Sequence, residues 1–145
     1  MFLQLKDGIY KAHKGPSLTL DLYSEPVSAG FPSPAEDHLD SSLDLNEYLI
    51  KHPAATFYIY AKGHSMSDVG IYDGDIMIVD RSLEARSRDI VIAVINDEFT
   101  VKRIYIKNNI IYLLPENKKF SPIRIKDDTD FQIWGVVTHT IHSFK

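Results

Sequence analysis

The sequence contains no cysteine, which removes disulfides, thiolate zinc sites and thiol nucleophiles together. A reducing cytoplasm is the compartment that this composition fits. No stretch approaches the ~18 apolar residues of a membrane span, and the opening MFLQLKDGIYKAHKGP is broken by Lys6, Asp7 and Lys11 before an apolar leader develops. The expectation is a chain that neither targets nor enters a membrane. A surplus of positive charge is missing too: 16 basic side chains face 20 acidic ones, for a formal charge of −4, with no long Lys/Arg cluster. Electrostatic capture of a phosphate backbone is disfavoured, so direct sequence-specific DNA binding is not expected.

What is there suffices for one folded core. Of 145 residues, 44% are apolar and 25% charged, enough for one domain and a short appendage but not for a second catalytic domain. Residues 24–42, SEPVSAGFPSPAEDHLDSS, carry three prolines, several serines and almost no apolar period, which reads as an extended, mobile connector. Residues 1–23 before it hold too few apolar side chains for a core. They read as an arm, with a short strand near Leu18–Tyr23 that pairs elsewhere. The expected organisation is thus a flexible arm and connector over 1–42 and a compact domain over 43–145.

The compact part opens with one short helix. Asp44 and Glu47 have the spacing of a capping box, Leu45, Tyr48 and Leu49 share a face, and Pro53 stops the run. The pattern then changes to short β runs at 56–62, 75–80, 89–96, 99–107, 110–116, 121–125 and 131–144. Asn96-Asp97-Glu98 and Asn108-Asn109 separate three of these runs and tolerate tight turns, so 89–116 is expected to be an antiparallel meander. The fold class is mainly β, with short and mostly antiparallel strands.

Several residues are candidates for chemistry. In FTVKRIYIK the period of two puts Thr100, Lys102, Ile104 and Ile106 on one face. Apolar surroundings disfavour an ammonium, and bringing a lysine from about 10.4 to ~7 takes roughly 4.6 kcal/mol of differential destabilisation. A lysine neutralised in that way is a general base, whereas one that snorkels to solvent is inert. Ser65, in the polar loop after Gly63, is a candidate nucleophile beside backbone N–H groups able to face an oxyanion; the plainer reading is a turn former. Histidine is the usual base for a serine, but His52, His64, His139 and His142 show no acid–histidine–serine order. In HTIH, His139 and His142 are i, i+3 on a strand and face opposite ways, a poor chelate, so they read as surface or packing residues. Asp68, Asp73, Asp75 and Asp80 lack calcium-loop spacing, and YDGD reads as a turn before a strand. No metal or cofactor is called for.

These stretches together resemble one family. GHSM at 63–66, DGD at 73–75 with IVD at 78–80, RDIVIA at 88–93 and FTVKR at 99–103 are similar to the LexA/UmuD serine–lysine self-cleaving peptidases. AGFPSPAEDH (29–38), LDLNEYLIKHPAATF (43–57) and WGVVTH (134–139) resemble its UmuD branch in particular, so the likeness covers most of 29–145. The separation 102 − 65 = 37 is the one expected. The resemblance implies a nucleophile at Ser65, a general base at Lys102, an oxyanion hole from the backbone N–H groups of His64 and Ser65, and a scissile bond between Ala29 and Gly30. It also implies slow cleavage stimulated by a RecA–single-strand DNA filament, and a processed homodimer that joins a UmuC-like translesion polymerase. His64 stands where the branch often has an acid, and residues 1–23 have no match.

Three other readings are weighed against it. A repressor of this type needs an N-terminal helix-turn-helix, for which 29 residues without three helical patterns do not suffice. A signal peptidase shares the serine–lysine chemistry but needs a membrane tether. A β-rich interaction module with inert Ser65 and Lys102, using its arm as a docking peptide, is the non-enzymatic alternative.

Overall fold

The computed structural model of the chain describes residues 3–6, 8–12, 15–23, 29–31 and 39–145. The expected connector lies mostly outside the described residues. By contacts the chain divides into two units, one made of Met1–His13 with His52–Lys145, the other of Lys14–Lys51. This division does not follow the expected boundary between 42 and 43: residues 43–51 group with the preceding segment, and the first 13 join the large unit.

In the larger unit, nine strands among the described residues form one antiparallel sheet. They are β1 (Leu3–Lys6), β2 (Ile9–Lys11), β5 (Thr56–Tyr60), β6 (Ile76–Asp80), β7 (Ile90–Ile95), β8 (Glu98–Lys107), β9 (Ile110–Leu114), β10 (Ile123–Arg124) and β11 (Phe131–Ile141). Their order across the sheet is β1-β2-β5-β6-β11-β7-β8-β9-β10. The expected β runs all become strands. The meander β7-β8-β9 forms because Asn96, Asp97, Asn108 and Asn109 all adopt positive φ, between 48° and 66°. With Ile95 opposite Glu98 and Lys107 opposite Ile110, these are two-residue hairpins, whose twist requires left-handed backbone at both central positions.

The first residues depart from their expected role as an arm. Ile9 pairs with Ile59 and Lys11 with Phe57, and Ile9 and Ala12 are buried. A three-residue strand is too short to show a period, and its place is set by ladder pairing with β5 together with the burial of Ile9 and Ala12.

The smaller unit holds β3 (Thr19–Tyr23), β4 (Leu39–Asp44) and α1 (Leu45–Leu49). The strand expected near 18–23 pairs antiparallel with β4, so residues 39–42 of the expected connector are strand. Asp44 caps α1 as its sequence indicates, accepting from the Asn46 and Glu47 N–H groups at 2.9 and 3.3 Å. Its other oxygen accepts from Leu18 N–H at 3.1 Å, tying the helix start to the β3 side of the hairpin.

The large sheet packs apolar side chains on both faces. Met66, Met77, Val79 and Ile92 belong to one buried cluster, and Val91, Ala93, Ile104, Leu113 and Val136 to another. Because β7 alternates between them, its sequence IVIAVI is an unbroken apolar run rather than an alternating one. β11 crosses the middle with register shifts on both sides, at Ile133/Gly135 and Val137/His139. At Gly135 an added Cβ would lie 2.6 Å from Val79 Cγ1, and Val79 is fully buried. Gly135→Ala is therefore expected to destabilise the protein by about 1–3 kcal/mol through overpacking, measured as a lower midpoint of thermal unfolding; an unchanged midpoint would refute this packing.

Candidate functional site

Ser65 sits in a loop whose base is closed by backbone bonds. Ala61 N–H donates to the Asp75 carbonyl at 2.8 Å and Gly74 N–H to the Ala61 carbonyl at 2.9 Å. Gly63, at φ +88°, takes a conformation that a side chain disfavours, and its N–H donates to Asp73 Oδ1 at 2.6 Å. Within the loop Met66 is buried at 2% exposure against the first core cluster. That plug fixes the backbone next to Ser65, whose own side chain stays half-buried.

The far side of the loop is tied to the segment after β9. Glu116 N–H donates to the Ser65 carbonyl and Asp68 N–H to the Glu116 carbonyl, both at 2.7 Å. Asn117 Nδ2 donates to the His64 carbonyl at 2.7 Å and to Ser67 Oγ at 3.2 Å. The Glu116 carboxylate forms an ion pair with Arg103, the residue after Lys102 on β8.

Lys102 is 9% exposed, and its Nζ lies 3.0 Å from Ser65 Oγ, 2.9 Å from Thr100 Oγ1 and 2.9 Å from the Val101 carbonyl. The period-2 reading of β8 holds for Lys102 and Ile104, both buried, while Ile106 near the strand end is exposed. Desolvation lowers the Lys102 amine below its ordinary value. The ion pairs among the described residues lie elsewhere, at His52–Asp80, Arg103–Glu116 and His142–Asp75, so none of these carboxylates restores the ammonium. In neutral form the amine has two N–H groups and one lone pair. The Val101 carbonyl accepts one N–H and Thr100 Oγ1 the other, which leaves the lone pair for the Ser65 hydroxyl proton.

A cleft of about 230 Å³ opens over this pair, lined by Tyr60, Ala61, Lys62, Phe99, Thr100 and Val101 beside Ser65 and Lys102. Next to it, the His64 and Ser65 N–H groups have no acceptor among the described residues. Ala29 and Gly30, in the other unit, are exposed.

The histidines fall elsewhere. His52 Nδ1 is 2.5 Å from Asp80 Oδ2 and His142 Nδ1 is 2.5 Å from Asp75 Oδ1, while His139 Nδ1 lies 3.1 Å from its neighbour Thr138. The YDGD turn forms as expected, with Gly74 at φ +87°, but Asp75 and Asp80 are buried carboxylates, which the sequence reading did not foresee. His142 and Asp75 are 67 positions apart and carry no local signature. Thr100 was legible, since the period of two puts it on the face of Lys102. Glu116 and Asn117 were missed because their partners lie about fifty residues away.

A mainly antiparallel β body with a serine and a buried lysine at one cleft has the outline of a LexA/UmuD-type self-cleaving serine peptidase. Residues 21–138 match the Peptidase S24-like family, and the chain belongs to it. Protein MucA of Salmonella typhimurium is 44% identical over 124 residues, 85% of this chain and 84% of that protein. Protein SamA of Salmonella typhimurium strain LT2 is 46% identical over 124 residues, 86% of each. The LexA repressor of Oleidesulfovibrio alaskensis is 42% identical over 111 residues, 77% of this chain but 53% of its own length. The likeness is to the UmuD branch, that of SOS mutagenesis. Among the described residues no helix is long and apolar enough to cross a membrane.

The buried carboxylates generate an acid-stability expectation. Burial alone raises the Asp75 carboxyl, but the Tyr72 N–H, the His142 hydrogen bond and charge, and Thr140 outweigh it, and the net value lies below the ordinary one. A carboxyl lower in the folded than in the unfolded state contributes stability above its unfolded value, and loses it as pH falls through the folded one. Asp75→Asn is expected to cost about 1–3 kcal/mol at neutral pH and to flatten the fall in stability below about pH 4, followed by denaturant unfolding against pH. An undiminished acid slope would contradict the assignment.

Proposed function

We propose that this chain is a self-cleaving SOS-mutagenesis protein that cuts the Ala29–Gly30 bond once, with Ser65 as nucleophile and Lys102 as general base. The observation that carries the reading is the 3.0 Å approach of Lys102 Nζ to Ser65 Oγ in a setting that lowers the amine's proton affinity. The neutral amine takes the hydroxyl proton as Oγ attacks the Ala29 carbonyl carbon. The His64 and Ser65 N–H groups hold the resulting oxyanion. Collapse breaks the C–N bond, the Lys102 ammonium returns its proton to the Gly30 amine, and a water deprotonated by the same lysine hydrolyses the acyl-enzyme ester. No cofactor enters the reaction.

The family resemblance extends the reading to regulation and partners. A RecA–single-strand DNA filament raises the population in which the Ala29–Gly30 segment occupies the cleft. The processed protein is a homodimer serving a UmuC-like error-prone polymerase in the cytoplasm.

The test uses the purified full chain without a filament, followed by intact mass from neutral pH to about pH 10. Fragments 1–29 and 30–145 are expected to form faster as pH rises, because deprotonation of Lys102 supplies the base. The rise should centre below the titration of an exposed lysine. Ser65→Ala and Lys102→Ala are each expected to lower the rate by about 10³-fold or more. A chain that stays intact even with RecA filaments would favour the interaction-module reading.

A further inference from the structure

Asn117 stands just beyond β9, 53 positions from His64, and its side chain is oriented by three hydrogen bonds. Oδ1 accepts from the Lys119 N–H at 3.0 Å. Only the amide oxygen suits that N–H, so Nδ2 must face the other way, toward the His64 carbonyl at 2.7 Å and Ser67 Oγ at 3.2 Å. The His64 carbonyl and the Ser65 N–H belong to one planar trans peptide unit and point in opposite directions. A side chain that holds the carbonyl therefore also aims the N–H. The next carbonyl, that of Ser65, is held by Glu116 N–H at 2.7 Å. Two consecutive peptide units at the nucleophile are thus gripped by two consecutive residues of one segment.

We propose that Asn117 is a positioning residue for self-cleavage, locking the His64–Ser65 peptide so that the Ser65 N–H is turned toward the carbonyl oxygen on which negative charge develops. The inference rests on the proposed Ser65/Lys102 reading. Asn117 acts through the His64 peptide and not on the reacting atoms. Its worth is preorganisation: an aimed donor stabilises the oxyanion without rotating during the reaction, whereas an unclamped peptide has to reorient first. Glu116 holds the loop by its backbone N–H, a bond that any residue but proline supplies at 116; Asn117 is the side-chain half of the grip and depends on an amide.

The test measures the self-cleavage rate of the full chain from neutral pH to about pH 10 for the unaltered protein, Asn117→Ala and Asn117→Asp, with thermal unfolding alongside. Ser65→Ala and Lys102→Ala serve as references. Asn117→Ala is expected to lower the alkaline plateau by about 10-fold to 10²-fold, approaching the loss of an oxyanion-hole donor, while the pH midpoint stays put because Lys102 is untouched. Asn117→Asp keeps the shape and the bond from Lys119 but cannot donate to the His64 carbonyl, so it carries the test should the alanine variant fail to fold. It is read on its plateau alone, since its charge favours the ammonium and raises the midpoint. A plateau loss smaller than about 10-fold in the folded variant overturns the inference, as does a shifted midpoint in Asn117→Ala, which would place Asn117 in the support of Lys102. If the unaltered chain does not cut, or Ser65→Ala still cuts, the underlying dyad reading falls first.

Discussion

The site depends on the desolvation of one amine. Lys102 is held on a strand whose next inward residue, Ile104, is fully buried, so its charged form gives up hydration that three neutral oxygens replace only in part. Oxygen partners without full charge are the appropriate company for a base. A carboxylate at the same distance would hold the proton on the nitrogen, whereas hydroxyl and carbonyl oxygens orient the amine and leave its proton affinity low. Glu116, whose N–H holds the Ser65 carbonyl, has its carboxylate engaged by Arg103. Adjacent residues of β8 thus divide the work, Lys102 facing the serine and Arg103 the acid.

The β8–β9 hairpin consequently organises most of the site. β8 carries the amine and its Thr100 and Val101 partners, and the segment leaving β9 grips the serine loop through Glu116 and Asn117. The Asn108-Asn109 turn sets the register of the two strands and hence the position of that grip relative to Lys102. On the other side, the loop is closed by the turn at 73–75, whose Asp75 is secured by His142 from the end of β11. The serine loop is held by bonds from β8 and from the segments that flank β5, β6 and β9, the support that the proposed nucleophile requires.

Much of this was legible in the sequence where the signal is local. Asn-Asp and Asn-Asn between apolar runs mark two-residue hairpins because few other residues accept positive φ twice in succession. Asp44 with Glu47 marks a helix start because its carboxylate satisfies N–H groups that nothing else near it can. The period of two put Thr100 and Lys102 on one face. What was not legible is non-local. β1 and β2 are too short to show a period; β2 is held by β5, and β1 by β2. Asp75 with His142, Asp80 with His52 and Asn117 with His64 are each a contact made only after the sheet assembles. Residues 43–51 look like the start of the compact domain, because helix capping is a local signal and unit membership is not.

The most direct measurement is the titration of the Lys102 side chain itself. In full-length Ser65→Ala, which on the proposed reading stays uncut, the lysine ε-carbon resonances are followed from neutral pH to about pH 11 and Lys102 is identified by its absence in a second variant carrying Lys102→Arg. A midpoint clearly below those of the exposed lysines, and matching the alkaline rise in cleavage of the unaltered chain, is the expected result. A Lys102 resonance that titrates with the others near about 10.4 would contradict the account, since an amine protonated like any surface lysine could not serve as the base.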